Sequence, residues 1–269
     1  MNVRQDSAKA LLLVVIGDFA WREGGPIWSS VLLDALSELD IEVNAARKAL
    51  RRTAESGLIS AGREGRRVHW SITARGQEVL ASGDVQTYGW ADRDRSWDGR
   101  WLMLSLTIPE AQRNLRHRLH TRLEWAGLGS PVPGQWLTPH WSRANLVASA
   151  IRELGLEEHA HSMIGTIGPI GSEEDLARSA FDLAALRQQY DDFVRDHEQV
   201  KPADDRECFV AVVELVQDWR RFPYLDPDLP ERFLPVDWPG DRAARLFQDR
   251  YRAWTEGAQR HWRALRGRS

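Results

Sequence analysis

Between Asn44 and Ser56 the residues divide into two faces at helical spacing. Ala46, Ala49, Leu50 and Thr53 form one row, and Arg47, Lys48, Arg51 and Arg52 recur at three and four residue steps on the other side. A segment divided in this way cannot be a strand, whose side chains alternate with period two, nor a fully buried helix, which would be apolar all round. It predicts a helix with one face on a core and the other offering positive charge to solvent. Gly57 closes it, and two short strands follow, Leu58 to Ala61 and Arg67 to Ile72, joined through Arg63, Glu64, Gly65 and Arg66. From Arg47 to Arg75 eight cations stand against Glu55 and Glu64, a net +6 in a chain whose formal net charge is −3. Positive charge concentrated in one short segment is the electrostatic footprint of a nucleic-acid contact.

The residues ahead of this segment complete a pattern. Ser7 to Trp21 reads as an apolar helix stopped by Gly24, Gly25 and Pro26. Ile27 to Leu39 reads as a second helix that buries Ile27, Val31, Leu32, Ala35, Leu36 and Leu39, and Asp40 to Val43 makes a turn. Helix, helix, helix, hairpin is the order of a winged helix-turn-helix, whose last helix before the hairpin enters the major groove of double-stranded DNA. In that frame Arg47 and Lys48 reach base edges, while Arg51 and Arg52 suit phosphates. Asn44 has two readings, a contact to adenine or, more readily, the helix N-cap. Arg63 and Arg66 flank the hairpin tip, and with Arg67 they extend the basic surface.

Composition bounds the remainder. With 42% hydrophobic residues, 28% charged residues and 12 prolines in 269, the chain is expected to fold as several soluble domains. The apolar run Leu11 to Ile16 is too short to cross a bilayer, and the single cysteine, Cys208, has no internal disulfide partner, so a cytoplasmic protein without a membrane partner is expected. A charged hinge from Gly89 to Gly99, with Asp92, Arg93, Asp94, Arg95 and Asp98, leads to alternating elements. Trp101 to Ile108 reads as a strand, Glu110 to Trp125 as a helix, and a short strand lies near Leu128. Gln135 to Thr138 is extended, Ser142 to Leu154 helical and His161 to Ile167 extended. That order suggests a ferredoxin-like βαββαβ domain. Ser172 with Asp175 reads as the capping box of a helical remainder: Glu173 to Val200, Asp204 to Arg221 and, after a proline-rich connector from Pro223 to Pro239, Asp241 to Arg266. The expected fold class is therefore α+β, with an N-terminal winged helix-turn-helix (1–88), a central ferredoxin-like domain (97–170) and a C-terminal all-helical domain (172–269).

Catalytic signals are weak. No G-x-S-x-G elbow occurs, and Cys208 opens the apolar stretch Cys208 to Val213, which reads as a buried thiol. His117 and His120 lie three apart on a helix and His159 and His161 share an expected strand face. Surface histidines are the default reading of both pairs, so no metal and no cofactor is expected. Gly165 to Gly171 lacks both the dinucleotide pattern and the lysine of a nucleotide loop, although the helix after Ser172 offers free N–H groups to a phosphate. The chain reads as a regulator and not an enzyme. The alternatives are a metal-dependent nuclease or an acyl-CoA-acting enzyme on the central domain, or a helical protein-interaction module.

Four stretches in order carry a resemblance. They are Ser7-Ala8-Lys9-Ala10-Leu11-Leu12-Leu13 with Gly24-Gly25-Pro26-Ile27-Trp28; Ala46-Arg47-Lys48-Ala49-Leu50-Arg51-Arg52 with Gly57-Leu58; Trp97-Asp98-Gly99-Arg100-Trp101 with Leu115-Arg116-His117-Arg118-Leu119; and Trp219-Arg220-Arg221-Phe222-Pro223 with Leu225-Asp226-Pro227-Asp228-Leu229-Pro230 and Trp238-Pro239-Gly240. With these the chain resembles the PaaX family, bacterial repressors of phenylacetate catabolism. The resemblance implies a homodimer that binds palindromic operator DNA and is released by phenylacetyl-CoA or a related aryl-CoA thioester. The family's central domain resembles small CRISPR nucleases that hold metal through an aspartate near the end of the first strand. Here Leu104-Ser105-Leu106-Thr107-Ile108-Pro109 has none. For such an effector, Arg116, Arg118 and Arg122 are candidates for the phosphates, with Trp125 and Trp136 as apolar walls. Arg220, Arg221 and Tyr224 form a rival site.

Overall fold

Leu12, Val14, Val15 and Ile16 leave no polar side between them, and the first helix is accordingly buried. In the computed structural model, which describes residues 3–93, 95–108 and 113–268, this helix is α1, Val3–Val15. A single π turn, Ile16–Ala20, carries it into α2, Trp21–Glu23. β1 is Ile27–Trp28, α3 Ser29–Ser37 and α4 Val43–Glu55. The expected helix over Ile27 to Leu39 thus loses its first two residues to a strand, because Ile27 and Trp28 pair with Trp70 and His69 across the hairpin. β2, Ile59–Glu64, and β3, Arg67–Ile72, form that hairpin, and α5, Ala74–Gly89, starts from Thr73, whose hydroxyl accepts the Gly76 N–H. The sheet is antiparallel in the order β1-β3-β2.

A second antiparallel sheet follows. It is built from β4 (Trp101–Leu106), β5 (Gln135–Thr138) and β6 (Ala160–Gly165) in the order β5-β4-β6, with α6 (Arg113–Trp125) and α7 (Ala144–Glu153) between its strands. The strand expected near Leu128 is reduced to one bridge, Gly129 to Leu137. His159 ends a short 3-10 turn and His161 lies in β6, so the two do not share a strand face. Asp94 of the charged hinge and the expected start of the sixth helix at Glu110 fall outside the described residues.

The helix expected over Glu173 to Val200 is two: α8, Glu173–Ala180, capped by Ser172 as its spacing suggests, and α9, Leu183–Glu198. The break falls where the Asp182 carboxylate accepts the Ala185 N–H and competes with continued helix. α10 (Asp205–Trp219), α11 (Phe222–Leu225) inside the connector, and α12 (Gly240–Gly267) complete the chain. Among the described residues no helix is long and apolar enough to cross a membrane.

Contacts group the chain into two units that do not follow chain order. The first comprises Met1–Asp92, Phe193–Arg220 and Asp241–Ser269, the second Arg93–Asp192 and Arg221–Gly240. In the first, α10 and α12 close on the N-terminal helices through aromatic side chains. Phe19 meets Phe209 at 4.9 Å and Trp262 at 5.9 Å, Trp219 stacks on Phe247, and the Trp219 indole donates to Thr87 O at 2.8 Å. Cys208 is half-buried rather than fully so, because it opens α10 under Gly257 of α12, where a Cβ would stand 2.9 Å from its Sγ. In the second unit β4 alternates: Leu102, Leu104 and Leu106 join the core made by α6 and α7, and Trp101 and Met103 join one with α8, Leu229 and Phe233.

The π turn carries a charge problem. Asp18 is buried, its Oδ1 accepts from the Tyr88 hydroxyl, and its Oδ2 has no partner among the described residues. Its backbone carbonyl accepts from Gln259 Nε2 of α12 at 3.1 Å. Burial, only partly offset by Tyr88 and Arg22, pushes the Asp18 carboxyl up to about 6. A carboxyl raised in this way holds a proton in the folded state that the unfolded chain has already lost, so its contribution to stability falls as pH climbs through that window and stays low above pH 6. Asp18→Asn keeps an acceptor for Tyr88 and removes a cost of up to about 3 kcal/mol. It is expected to raise Tm at pH 7.5 and to leave it nearly unchanged near pH 4 (about the ordinary carboxylate value). Thermal denaturation at the two pH values checks this, and equal shifts at both would contradict it.

Candidate nucleic-acid interface and ligand cavity

α4 begins with Glu42 at its N-cap and no side-chain capping bond. Asn44 is therefore not the cap. The left-handed Asp40, φ 57°, turns the chain sharply after α3, and the helix starts two residues earlier than an Asn44 cap would allow. Asn44 instead stands exposed in the first turn. With Arg47, Lys48 and Arg51 it forms one exposed stripe at i, i+3, i+4 and i+7, and Arg52 lies exposed beside it. Ala46, Ala49, Leu50 and Thr53 are buried on the opposite side, where the Thr53 hydroxyl donates to Ala49 O at 2.8 Å. Arg51 shares a 3.4 Å ion pair with Glu55, whereas Arg47 and Lys48 form none among the described residues.

The hairpin pairs Glu64 with Arg67, leaving Gly65 and Arg66 as a two-residue turn. Gly65 has φ 59° and Arg66 stays at negative φ, the pattern of a type II′ turn that only glycine enters cheaply at its first position. Arg63, Arg66 and Arg67 are all exposed. The Arg67 guanidinium also sits 4.0 Å from the Trp28 ring, which ties β1 to the hairpin and commits part of this side chain to the sheet. The Trp70 indole donates to the Ser29 hydroxyl at 2.8 Å and holds the hairpin to the start of α3.

The residues proposed for an effector do not come together as a set. In the second unit Trp125, Trp136 and Tyr224 line one cavity of about 430 Å³, with Phe181 and Leu186 among its apolar walls. Trp125 is 68% exposed there, an indole held open to solvent. Arg116, Arg118, Arg122 and Arg221 do not line it. Arg122 is paired with Glu153 at 2.6 Å, the Arg116 guanidinium donates to Ile108 O at 3.4 Å, Arg118 is exposed, and Arg221 lies over the Phe222 ring. Arg220 belongs to the first unit, where it donates to Ala10 O at 3.4 Å. His120, whose Nδ1 is 3.1 Å from Glu124, stands edge-on to Trp136 at the cavity wall. Phe181 and Asp182 were not anticipated; the signal was the Asp182 cap, three residues ahead of Ala185.

Close in sequence to this cavity, the Leu225-Asp226-Pro227-Asp228 stretch is pinned by a buried ionic network. Arg93 donates to Asp228 at 2.7 Å and to Asp226 at 3.1 Å, the Tyr190 hydroxyl donates to Asp226 at 2.7 Å, and Asp228 N donates to Asp226 Oδ1 at 2.7 Å. His140 Nε2 lies 2.7 Å from Asp228 O. Burial, then the Arg143 guanidinium, hold His140 below its ordinary pKa, so it stays neutral at pH 7.

Comparison with known proteins accounts for this sequence of parts. Residues 7–76 match the family described as PaaX-like protein, residues 94–177 the PaaX protein central Cas2-like domain, and residues 181–264 the PaaX-like protein C-terminal domain. Three parts of PaaX-type proteins thus follow one another along the chain. The chain belongs to the PaaX family. It is 25% identical over 259 residues to the transcriptional repressor PaaX of Escherichia coli, covering 91% of this chain and 80% of that protein. Among solved structures, the uncharacterized protein Rv0674 from Mycobacterium tuberculosis has a similar fold, with a TM-score of 0.63 at 21% identity over 91% of this chain and 95% of that one.

The buried network sets an expectation for stability. Removing Arg93 leaves Asp226, whose side chain is 3% exposed, without its cation, and breaking a buried pair costs about 3–5 kcal/mol. Arg93→Met is expected to lower the urea midpoint correspondingly, followed by tryptophan fluorescence, while Arg178→Ala, at an exposed pair, leaves it in place. Equal midpoints for the two variants would show that the network does not hold the loop.

Proposed function

We propose that this protein is a DNA-binding transcriptional regulator, a repressor by analogy with its Escherichia coli relative, and that α3, α4 and the hairpin work as a winged helix-turn-helix on duplex operator DNA. The observation that carries the reading is the exposed stripe Asn44, Arg47, Lys48 and Arg51, in which Arg47 and Lys48 have no intramolecular ion pair among the described residues to give up. In this reading Asn44, Arg47 and Lys48 face base edges, Arg51 and Arg52 meet phosphates, and Arg63, Arg66 and Arg67 bring the wing to the backbone or the neighbouring groove. DNA contact falls to residues 1–88. The order of the second sheet, with the Gly129 bridge beside β5, supports a ferredoxin-like βαββαβ arrangement for the central part.

The cavity walled by Trp125, Trp136 and Tyr224 supports an apolar or aromatic effector group, and an aryl-CoA thioester such as phenylacetyl-CoA is the candidate that family resemblance supplies. An effector of this kind lowers operator affinity only by the ratio of its affinities for the two states of the protein. A homodimer on a palindromic operator completes the proposal, and no catalytic step is assigned.

Arg47→Ala and Lys48→Ala are each expected to weaken binding to the promoter DNA of the regulated gene by about five- to a hundredfold, as the loss of a base contact or a strong phosphate contact does. Fluorescence anisotropy across a salt series checks this, with circular dichroism to confirm that the variants fold. Affinity that is unchanged in both variants, or that does not respond to salt, would reject the reading. Phenylacetyl-CoA is expected to raise Tm in a thermal-shift assay, and Trp125→Ala, at an exposed wall, is expected to abolish that rise without altering DNA affinity.

A further inference from the structure

The segment that leads into the basic helix is bracketed by sharp turns, and at each turn an acidic side chain is held from the C-terminal part of the chain. β1 and α3 run from Ile27 to Ser37 between the left-handed pair Gly24 and Gly25, φ 72° and 78°, and the left-handed Asp40, φ 57°. Glu23 stands immediately before the first turn and Glu38 just before the second. Both acids and the groups that hold them belong to the first unit.

Glu23 is held by α12. The fully buried Trp262 indole donates to Glu23 Oε2 at 3.1 Å, and the Arg266 guanidinium donates to the same oxygen at 2.5 Å. A buried indole N–H needs an acceptor, so this carboxylate is fixed by a side chain that belongs to the core. Glu38, whose side chain is 19% exposed, pairs with Arg206 at the start of α10, and His261 of α12 lies 3.6 Å from its other oxygen. α10 and α12 are in turn locked to each other. Arg260 forks onto both oxygens of Asp205 at 2.8 and 2.9 Å, and Gly257 lets the helices close until a Cβ there would meet Cys208 Sγ at 2.9 Å. The two anchors thus share one support. α4 has no side-chain cap of its own, so its start is set by the turn that delivers it.

We propose that Glu23 and Glu38 are positioning residues for DNA binding. Clamped by Trp262 and Arg266 at one end and by Arg206 at the other, they fix the β1–α3 segment, and through it the entry of α4 and the edge of the wing sheet, in the arrangement that DNA accepts. The proposal rests on the DNA-binding reading. Its sign is opposite to that of simple electrostatics. Removing an acidic charge from a protein that binds a polyanion raises affinity by charge alone, whereas loss of the clamp lowers it.

Measurements on the full chain with and without DNA test it. Without DNA, hydrogen exchange reads the turn after α3, where the Leu39, Asp40 and Ile41 N–H groups donate back to Leu36, Ser37 and Leu36. Arg206→Gln is expected to speed exchange of these amides by about two- to thirtyfold, and unchanged exchange in the folded variant would overturn the clamp. With DNA, anisotropy on the promoter duplex used for Arg47→Ala is expected to show Glu38→Gln and Glu23→Ala each weakening binding by about two- to thirtyfold. The salt slope stays as in the wild type, since no phosphate contact is lost. Affinity that is unchanged or raised in either folded variant would overturn the positioning role of that residue. Glu38→Arg combined with Arg206→Glu restores the pair with its charges exchanged and is expected to recover most of the loss; a double variant as weak as Glu38→Gln would overturn the ion pair as the agent. Circular dichroism checks folding, and if Glu38→Gln does not fold, Arg206→Gln and the exchanged pair carry the same measurement. A wild-type chain that binds no duplex would reject the DNA-binding reading instead, and the exchange experiment would still decide the clamp.

Discussion

The first unit depends on a helix that must satisfy two cores at once. α1 packs against α4, which carries the basic stripe, and against α10 from the C-terminal part of the chain. Its apolar residues Leu12 and Val15, and Ile16 and Phe19 of the turn that continues it, are almost wholly removed from water, and each such side chain contributes on the order of 1.5–3 kcal/mol. A regular helix with one buried stripe could not present that surface in two directions. The π turn at Ile16–Ala20 shifts the register of the side chains that follow it, and the carbonyl of Asp18 in that turn finds its donor in Gln259 of α12. The position of α4 is therefore set partly by residues far along the chain.

That arrangement separates charge within one unit. The face of α4 and the wing is positive, while the wall formed by α10 and the end of α9 is negative, and the formal net charge of −3 conceals both. Charges on the basic stripe are left to solvent, and Glu214 and Asp218 stand a turn apart on α10 with His197 beside them. Like charges gathered on one face repel one another, a modest cost where they are solvated.

In the second unit the opposite device operates. Arg93, Asp226, Asp228 and Tyr190 satisfy one another in a buried network, and the loop that carries Asp226 and Asp228 also supplies Pro227 to the aromatic cavity beside Leu225 and Tyr224. A fully paired network of this sort rigidifies the backbone that it joins. The cavity wall is thereby held in one shape, while Trp125 and Tyr224 remain open to solvent at its edge.

Local chemistry was enough to read several features in advance. The two-faced helix read from Asn44, the glycine turn at Gly65 and the cap at Ser172 each depend on residues a few positions apart, and the sequence alone determined them to within a residue. Asn44 shows where that kind of reading stops: its type suits an N-cap, but the left-handed Asp40 starts the helix earlier and leaves Asn44 on the exposed face. The strand at Ile27–Trp28 likewise has the pattern of a helix and becomes a strand because β3 is there to pair with it. Of the effector candidates, the aromatic residues meet at one cavity and the arginines do not, since spacing along α6 says nothing of Glu153 on α7, which engages Arg122. What the sequence by itself determined were a basic surface, its likeness to PaaX proteins and the local start and stop of most elements. The tertiary structure alone decided which distant residues share a core, an ion pair or a cavity, because those contacts join positions such as Arg93 and Asp226 whose separation leaves no periodic trace in the chain.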